Sequence, residues 1–135
     1  MSKEFPKDTK GFHPFGDLIG FQFTKVRKGY SQCSLYVDEK LFNPHRVLHG
    51  GVLYAMADTG MGGALYGLLD KDELCATIEV KINYIKAVKS GSITCETKVI
   101  NKGKKVAVIE SELFNDGVLV AKALGTYSIF IVNNQ

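Results

Sequence analysis

The chain has 135 residues, of which 45% are hydrophobic and 23% charged, a balance typical of one ordinary globular domain. Its net charge of +3 reflects 17 Lys and Arg against 14 Asp and Glu. This mild excess argues against a nucleic-acid-binding protein, which usually shows a concentrated basic stripe. No apolar run reaches the length of a membrane-spanning helix, so neither nucleic acid nor membrane is expected as a partner.

The cysteines and the N-terminus indicate the compartment. Cys33, Cys75 and Cys95 are odd in number and far apart, and they form no CxxC motif, which favours reduced thiols in the cytoplasm. Residues 1–10 are polar and lack the apolar core of a secretory signal. We therefore predict a loose lead-in at 1–10 within a single domain spanning 1–135.

Hydrophobic patterning predicts two strands, a helix and four more strands. Alternation over 21–26 and 30–37 indicates a hairpin around Lys28-Gly29. The segment 51–69 lacks alternation and reads as a long helix. The last four strands are predicted at 75–85, 93–99, 104–114 and 118–131, with hairpin turns at 101–103 and 115–117 that make this tail an antiparallel meander. One helix covering one face of a six-stranded antiparallel sheet is an α+β arrangement.

The predicted helix contains five glycines, Gly51, Gly60, Gly62, Gly63 and Gly67. Each interior glycine costs about 0.8–1 kcal/mol relative to alanine, so a compensating contact is expected. Without a side chain, the helix can press closely against a sheet or another backbone.

One stripe of this helix combines small residues with a carboxylate. Gly51, Ala55, Asp58 and Gly62 follow one another at steps of four, three and four. Asp58 is therefore either a solvated surface residue, as most aspartates are, or an acid placed for chemistry.

The helix begins after His49-Gly50-Gly51. The first backbone N–H groups of a helix lack internal partners, and the helix dipole favours negative charge there. Such donors suit a developing oxyanion, although a Gly-Gly pair also serves as a flexible helix entry.

The string Asn43-Pro-His-Arg-Val-Leu-His49-Gly50-Gly51, followed by Asp58 in a glycine-rich helix, resembles the hotdog-fold acyl-CoA thioesterases. It is most similar to the phenylacetate-pathway branch, which includes the mammalian thioesterase superfamily members, and the likeness extends over residues 16–130. The resemblance implies a hotdog fold, in which a curved six-stranded antiparallel sheet wraps a long central helix. It also implies a homodimer as the minimal unit, often paired into a tetramer, with active sites between subunits.

The resemblance implies that Asp58 is the nucleophile or general base of acyl-CoA hydrolysis and that the Gly50 N–H polarises the thioester carbonyl. Gly51, which leaves the approach to the helix start unobstructed, is expected to help bind the substrate. No metal or cofactor is expected, because CoA is part of the substrate and the three histidines are too scattered for a zinc site.

Three further roles follow from the resemblance. His49 shapes the site or binds substrate, and Asn43 orients the water or the carboxylate. Thr77 matches a Ser or Thr contributed by the partner subunit. Alternation places Thr77 with Glu79, Lys81 and Asn83, opposite the apolar face of its strand, as expected of a residue that reaches an interface.

Basic residues near the expected CoA nucleotide have two interpretations. They either contact phosphates or remain solvated at strand ends and turns, where lysine discourages edge pairing. The candidates are Arg46, Lys86, Lys89, Lys102, Lys104 and Lys105.

Two alternatives to a thioesterase remain open. A hotdog hydratase or dehydratase would use a loop His, and His45 precedes Asp58 by a loosely suitable interval, but His-Gly-Gly stands where its His-Phe-Pro-Gly context is expected. A non-catalytic acyl-CoA-binding module is the second alternative, and turnover that depends on Asp58 would exclude it.

Overall fold

The computed structural model describes residues 3–6 and 11–132. A short helix opens the described core and one long helix lies at its centre. The elements are α1 (Pro14–Ile19), β1 (Phe21–Arg27), β2 (Tyr30–Tyr36), a 3-10 turn (Glu39–Leu41), α2 (Gly50–Tyr66), β3 (Glu73–Tyr84), β4 (Ser92–Lys102), β5 (Val106–Asn115) and β6 (Val118–Ile131).

The six strands form one antiparallel sheet in the order β1-β2-β4-β5-β6-β3, and α2 packs across one face of it. The predicted α+β arrangement is confirmed. Both predicted hairpin turns that join β1 to β2 and β5 to β6 are present. Asp116 and Gly117 have φ of 47° and 87°, the positive values that a tight two-residue hairpin requires.

The position of β3 differs from the prediction. The tail does not form a four-stranded meander, because β3 lies beyond β6 at the sheet edge and β4 pairs with β2 instead. The connection after β3 crosses the end of the sheet, where the Leu48 N–H donates to the Val88 carbonyl at 2.8 Å and Val88 is buried. Within the described chain, the outer edge of β3 therefore has no neighbouring strand.

Helix α2 buries one face against the inner side of the sheet. Its buried side chains include Leu53, Met56, Met61 and Leu65, each worth about 1.5–3 kcal/mol relative to exposure. A Cβ at Gly60 would lie 2.8 Å from Thr97 Oγ1, so the close approach predicted for the glycines is confirmed here. The helix starts one residue earlier and ends three residues earlier than predicted.

A β-bulge in β3 shifts the alternation, so the faces predicted for the residues before the bulge are reversed. Thr77 pairs with Tyr127 and Glu79 with Thr126, so Ile78 has no partner and is 59% exposed. Because Tyr127 is buried on the helix side, Thr77 faces the helix too. The predicted grouping of Thr77 with Glu79 is therefore wrong.

Part of the N-terminal lead-in is packed. The Lys3 N–H donates to the Leu69 carbonyl at 3.0 Å. The ring of Phe5 lies edge-on to those of Phe12, Phe23 and Tyr66, with centroids 4.9–5.8 Å apart. Residues 3–6 thus differ from the loose segment expected, and the rest of 1–10 lies outside the described residues.

Candidate active site

Asp58 lies in the middle of α2, where two hydroxyls converge on its carboxylate. Thr77 Oγ1 donates to Asp58 Oδ1 at 2.7 Å, and Tyr127 Oη lies 2.5 Å from the same oxygen. Tyr127 Oη is also 2.5 Å from the main-chain oxygen of Asp58. Among the described residues no donor reaches Oδ2, so one carboxylate oxygen is held and the other is free.

Tyr127 was not among the residues predicted from the sequence. Its side chain is 3% exposed, and burial raises its pKa well above the usual range, with a further rise from its hydrogen bond to Asp58. The hydroxyl therefore keeps its proton and acts as a donor. Only the pairing of β6 with β3 shows that it meets Asp58, because a tyrosine in an alternating strand otherwise reads as core.

A cavity of about 370 Å³ opens beside Asp58. Its walls are largely apolar, and the N-terminal segment, α2 and β3 all contribute to them. Burial raises the pKa of the Cys75 thiol in this wall, while nearby Lys3 opposes that rise. The remaining lining side chains include Phe5, Phe12, His13, Phe23, Thr59, Tyr66, Leu69, Leu74, Thr77 and Tyr127.

The N-terminus of α2 forms a second polar region. His49 caps the helix, because its Nδ1 accepts from the Gly51 N–H at 2.8 Å, which leaves the ring proton on Nε2. The Gly50 N–H has no acceptor within the part of the chain that the structure describes, whereas the Gly50 carbonyl accepts from Tyr84 Oη at 2.8 Å. Gly50 is thus the free donor, and the Gly51 N–H is already engaged.

A second cavity, of about 300 Å³, lies at this helix start and is lined by Asn43, Gly50, Tyr84 and Lys86, among others. Asn43 Oδ1 accepts from the His45 N–H at 2.9 Å and so holds the loop before the helix. A Cβ at Gly50 would lie 2.9 Å from the Tyr84 ring, so glycine is required for this close approach.

The predicted site residues fall into two groups within one chain. Asp58 and Thr77 share the first cavity, Asn43 and Gly50 line the second, and His49 caps the helix next to Gly50. Gly50 and Asp58 are separated by eight helical positions, about 12 Å along the axis.

The predicted basic residues also lie apart. Lys86 lines the second cavity and Lys89 belongs to the same loop. The turn that carries Lys102, Lys104 and Lys105 lies at the opposite end of the sheet, where the Ile129 N–H donates to the Lys105 carbonyl. Strand register puts these two ends about 27 Å apart.

Arg46 pairs with Glu39 at 3.8 Å while both side chains are more than three-quarters exposed, so this ion pair adds little stability. Among residues 3–6 and 11–132, no three His, Cys, Asp or Glu side chains are grouped so as to hold a metal ion. The helices described in the same ranges include none with the length and apolar character of a membrane span.

The model of the thioesterase superfamily matches residues 45–122, which include the helix start, Asp58 and Thr77. This match covers more than half of the chain. The chain belongs to the thioesterase superfamily. A predicted esterase of Saccharolobus solfataricus is 37% identical over 120 residues, covering 88% of this chain and 79% of its own.

Two further relatives of this thioesterase carry more specific names. The 1,4-dihydroxy-2-naphthoyl-CoA hydrolase of Listeria monocytogenes is 27% identical, over 74% of this chain and 81% of its own. The structure of a mutant thioesterase from Pseudomonas aeruginosa superimposes with a TM-score of 0.83 at 27% identity, covering 87% and 86% of the two chains. The predicted hotdog fold and the predicted enzyme class, a thioester hydrolase, are both confirmed.

Proposed function

We propose that this thioesterase hydrolyses acyl-CoA to a free acid and CoA, with Asp58 as the general base or nucleophile. The observation that carries the proposal is the free Oδ2 of Asp58 at the wall of a largely apolar cavity. The apolar walls suit an acyl chain, and the carboxylate lies where a thioester at the cavity mouth would be attacked. A relative that acts on an acyl-CoA supports this substrate class.

The chemistry has two routes through Asp58. As a base, Oδ2 takes a proton from water while the hydroxide adds to the thioester carbon. The carbon–sulfur bond then breaks, and the leaving sulfur takes the proton to give CoA. As a nucleophile, Oδ2 itself displaces the CoA thiolate, and water hydrolyses the resulting anhydride.

A single chain does not bring the proposed oxyanion donor to this carboxylate. The Gly50 N–H and Asp58 lie about 12 Å apart along one helix, farther than one carbonyl group can bridge. We propose a homodimer in which the helix of a second copy runs antiparallel, so that its Gly50 meets Asp58 of the first. The stripe of Gly51, Ala55, Asp58 and Gly62 is only partly covered within one chain, so it leaves room for that helix.

The edge strand β3 supports the same assembly. Leu74, Ile78 and Tyr84 on β3 are 43–59% exposed, and the outer edge of β3 is unpaired within the described chain. Pairing of two β3 edges would cover this apolar surface. Association of two such dimers into a tetramer is a further proposal, and light scattering on purified protein distinguishes the two states.

The basic residues fit the same arrangement. In an antiparallel pair, the Lys86 and Lys89 loop of one copy approaches the opposite end of the other, which carries Lys102, Lys104 and Lys105. We propose that both groups, with Arg46, surround the phosphates of CoA.

The test compares thiol release by wild type and Asp58→Asn over acyl-CoAs from acetyl to palmitoyl, together with aryl acyl-CoAs. We expect the variant to lose about 10²–10⁴-fold in kcat, the usual contribution of a general base. Asp72→Asn, a change at an exposed aspartate outside both cavities, is the matched control and should retain wild-type rates. Binding of acyl-CoA by wild type without any thiol release would instead identify a non-catalytic binding module.

A further inference from the structure

Tyr127 brings a buried hydroxyl to Asp58 from a different element of the fold. Its Oη lies 2.5 Å from both Oδ1 and the main-chain oxygen of Asp58, although the side chain is only 3% exposed. Strand β6, which carries Tyr127, is paired along its length with β3 on one side and β5 on the other. The sheet therefore fixes this hydroxyl independently of the helix that carries the carboxylate.

We propose that Tyr127 is the positioning residue that fixes the Asp58 carboxylate, so that Oδ1 is held and Oδ2 carries out the chemistry. This inference rests on the proposed function of Asp58. Thr77 lies on the neighbouring strand β3 and donates to the same Oδ1 at 2.7 Å. Rotation of the carboxylate would exchange its two oxygens, and two donors from neighbouring strands oppose that rotation.

The role of Tyr127 is to position rather than to react. Its hydroxyl lies within hydrogen-bond distance of two acceptors on Asp58. The single hydroxyl proton is donated either to the carboxylate or to the main-chain oxygen. Both acceptors belong to the same residue, so each arrangement anchors Asp58. Burial raises the Tyr127 pKa, so the proton stays in place while Asp58 cycles.

Other titratable groups also face the Asp58 cavity. Lys3 comes from the N-terminal segment, His13 from the start of α1, Tyr66 from α2 and Cys75 from β3. These groups surround the carboxylate whether or not the Tyr127 hydroxyl is present. Replacement of Tyr127 by phenylalanine therefore isolates one donor against a constant background.

A purely structural role makes a different prediction. A buried tyrosine hydroxyl that only satisfied the main-chain oxygen of Asp58 would stabilise the fold without affecting the carboxylate. Tyr127→Phe would then lower the melting temperature and leave the acid–base behaviour of the site unchanged.

Steady-state kinetics on Tyr127→Phe give the first readout. We expect kcat to fall about 10- to 100-fold, the range of hydrogen bonds to charged groups, with KM nearly unchanged. Loss of a donor favours the protonated carboxyl, so the acid limb of kcat/KM should move to higher pH. In the Asp58→Asn background the same change should cost little more, because Tyr127 acts through Asp58.

The matched control is Thr97→Val. Thr97 is also buried beneath α2, and its hydroxyl makes a 2.7 Å hydrogen bond with Ser111, away from the carboxylate. This variant should lose stability while keeping the wild-type pH profile. An equal displacement of the acid limb in both variants would show a general packing effect and overturn the proposal.

A second readout does not depend on turnover. Carbon NMR of the full-length chain labelled at aspartate carboxyls follows the titration of Asp58, which is assigned by the signal that Asp58→Asn removes. The midpoint should lie at higher pH in Tyr127→Phe than in wild type. Coincident midpoints would refute the role of Tyr127 even if the enzyme is active. A displaced midpoint in a protein that releases no thiol would retain that role and refute the proposed function alone.

Discussion

The two regions that hold the candidate catalytic groups are built in different ways. Around Asp58, side chains from α2, β3 and β6 converge, and the key contact is a buried tyrosine hydroxyl. At the start of α2, the groups are the Gly50 N–H, which has no acceptor among the described residues, and the His49 side chain, whose Nδ1 caps the helix. The first region depends on side-chain hydroxyls and a carboxylate, whereas the second depends on a glycine at position 50, which has no side chain.

This contrast predicts opposite responses to substitution. Truncation of a side chain removes function from the Asp58 region, because its hydrogen bonds come from hydroxyls and a carboxylate. At the helix start, the addition of a side chain is expected to remove function, because a Cβ at Gly50 would lie 2.9 Å from the Tyr84 ring.

The largest effect expected at the helix start comes from replacement of Gly50. Gly50→Pro deletes the N–H, yet proline is well suited to the first position of a helix. The preceding His49 has φ −61° and ψ 130°, the extended backbone that a residue before proline prefers. We expect kcat to fall about 10²–10³-fold, as when an oxyanion donor is removed.

Gly50→Ala is the control for this prediction. Alanine places the same Cβ against Tyr84 but keeps the N–H, so the difference between the two variants reports the donor itself. Circular dichroism checks that α2 is intact in both. Equal kcat values for the alanine and proline variants would mean that the Gly50 N–H does not hold the oxyanion.

The separation of the two regions along one helix leads to the next prediction. If each active site combines Asp58 of one copy with Gly50 of another, a mixture of Asp58→Asn and Gly50→Pro chains regains activity. Random reassociation gives about half mixed dimers, each with one intact site of two, or roughly a quarter of the wild-type rate. The measurement is thiol release after the two inactive variants are unfolded and refolded together.

Refolding each variant alone is the control and should restore no thiol release. An inactive mixture that light scattering shows to be dimeric would overturn a site shared between Asp58 of one copy and Gly50 of another.

The sequence predicted where the strands and the helix lie more reliably than it predicted which strands pair with each other. Alternation and hairpin turns located all six strands, and the absence of alternation located α2 to within three residues. The edge position of β3 was not predictable in this way, because a strand's local pattern does not specify its pairing partner. The prediction that the last four strands form a meander was therefore wrong.

The candidate site shows the same difference between local signals and contacts that depend on strand pairing. Asp58 and the helix start became candidates because the acid in a glycine-rich helix and the His-Gly-Gly entry together carry the resemblance to the thioesterases, whereas each signal alone left a purely structural interpretation open. Thr77 was assigned to the wrong face, because a bulge at Ile78 shifts the alternation by one residue. Tyr127 was missed because its contact with Asp58 depends on the pairing of two strands distant in the chain.

The smallest expected effect concerns the wall of the Asp58 cavity. Phe5 lines this cavity and packs edge-on against Phe12, Phe23 and Tyr66. Phe5→Ala should lengthen the cavity without touching Asp58. We expect kcat/KM for palmitoyl-CoA to rise about tenfold relative to hexanoyl-CoA, since a few methylenes in an apolar pocket discriminate on this scale.

Phe15→Ala is the comparison for this last change. Phe15 is 52% exposed on α1 and does not line the cavity, so its loss should leave the chain-length profile unaltered. A profile that is the same in wild type and Phe5→Ala would mean that the acyl chain does not reach the N-terminal wall. A change confined to chain length would also show that selectivity and chemistry lie on separate parts of the fold.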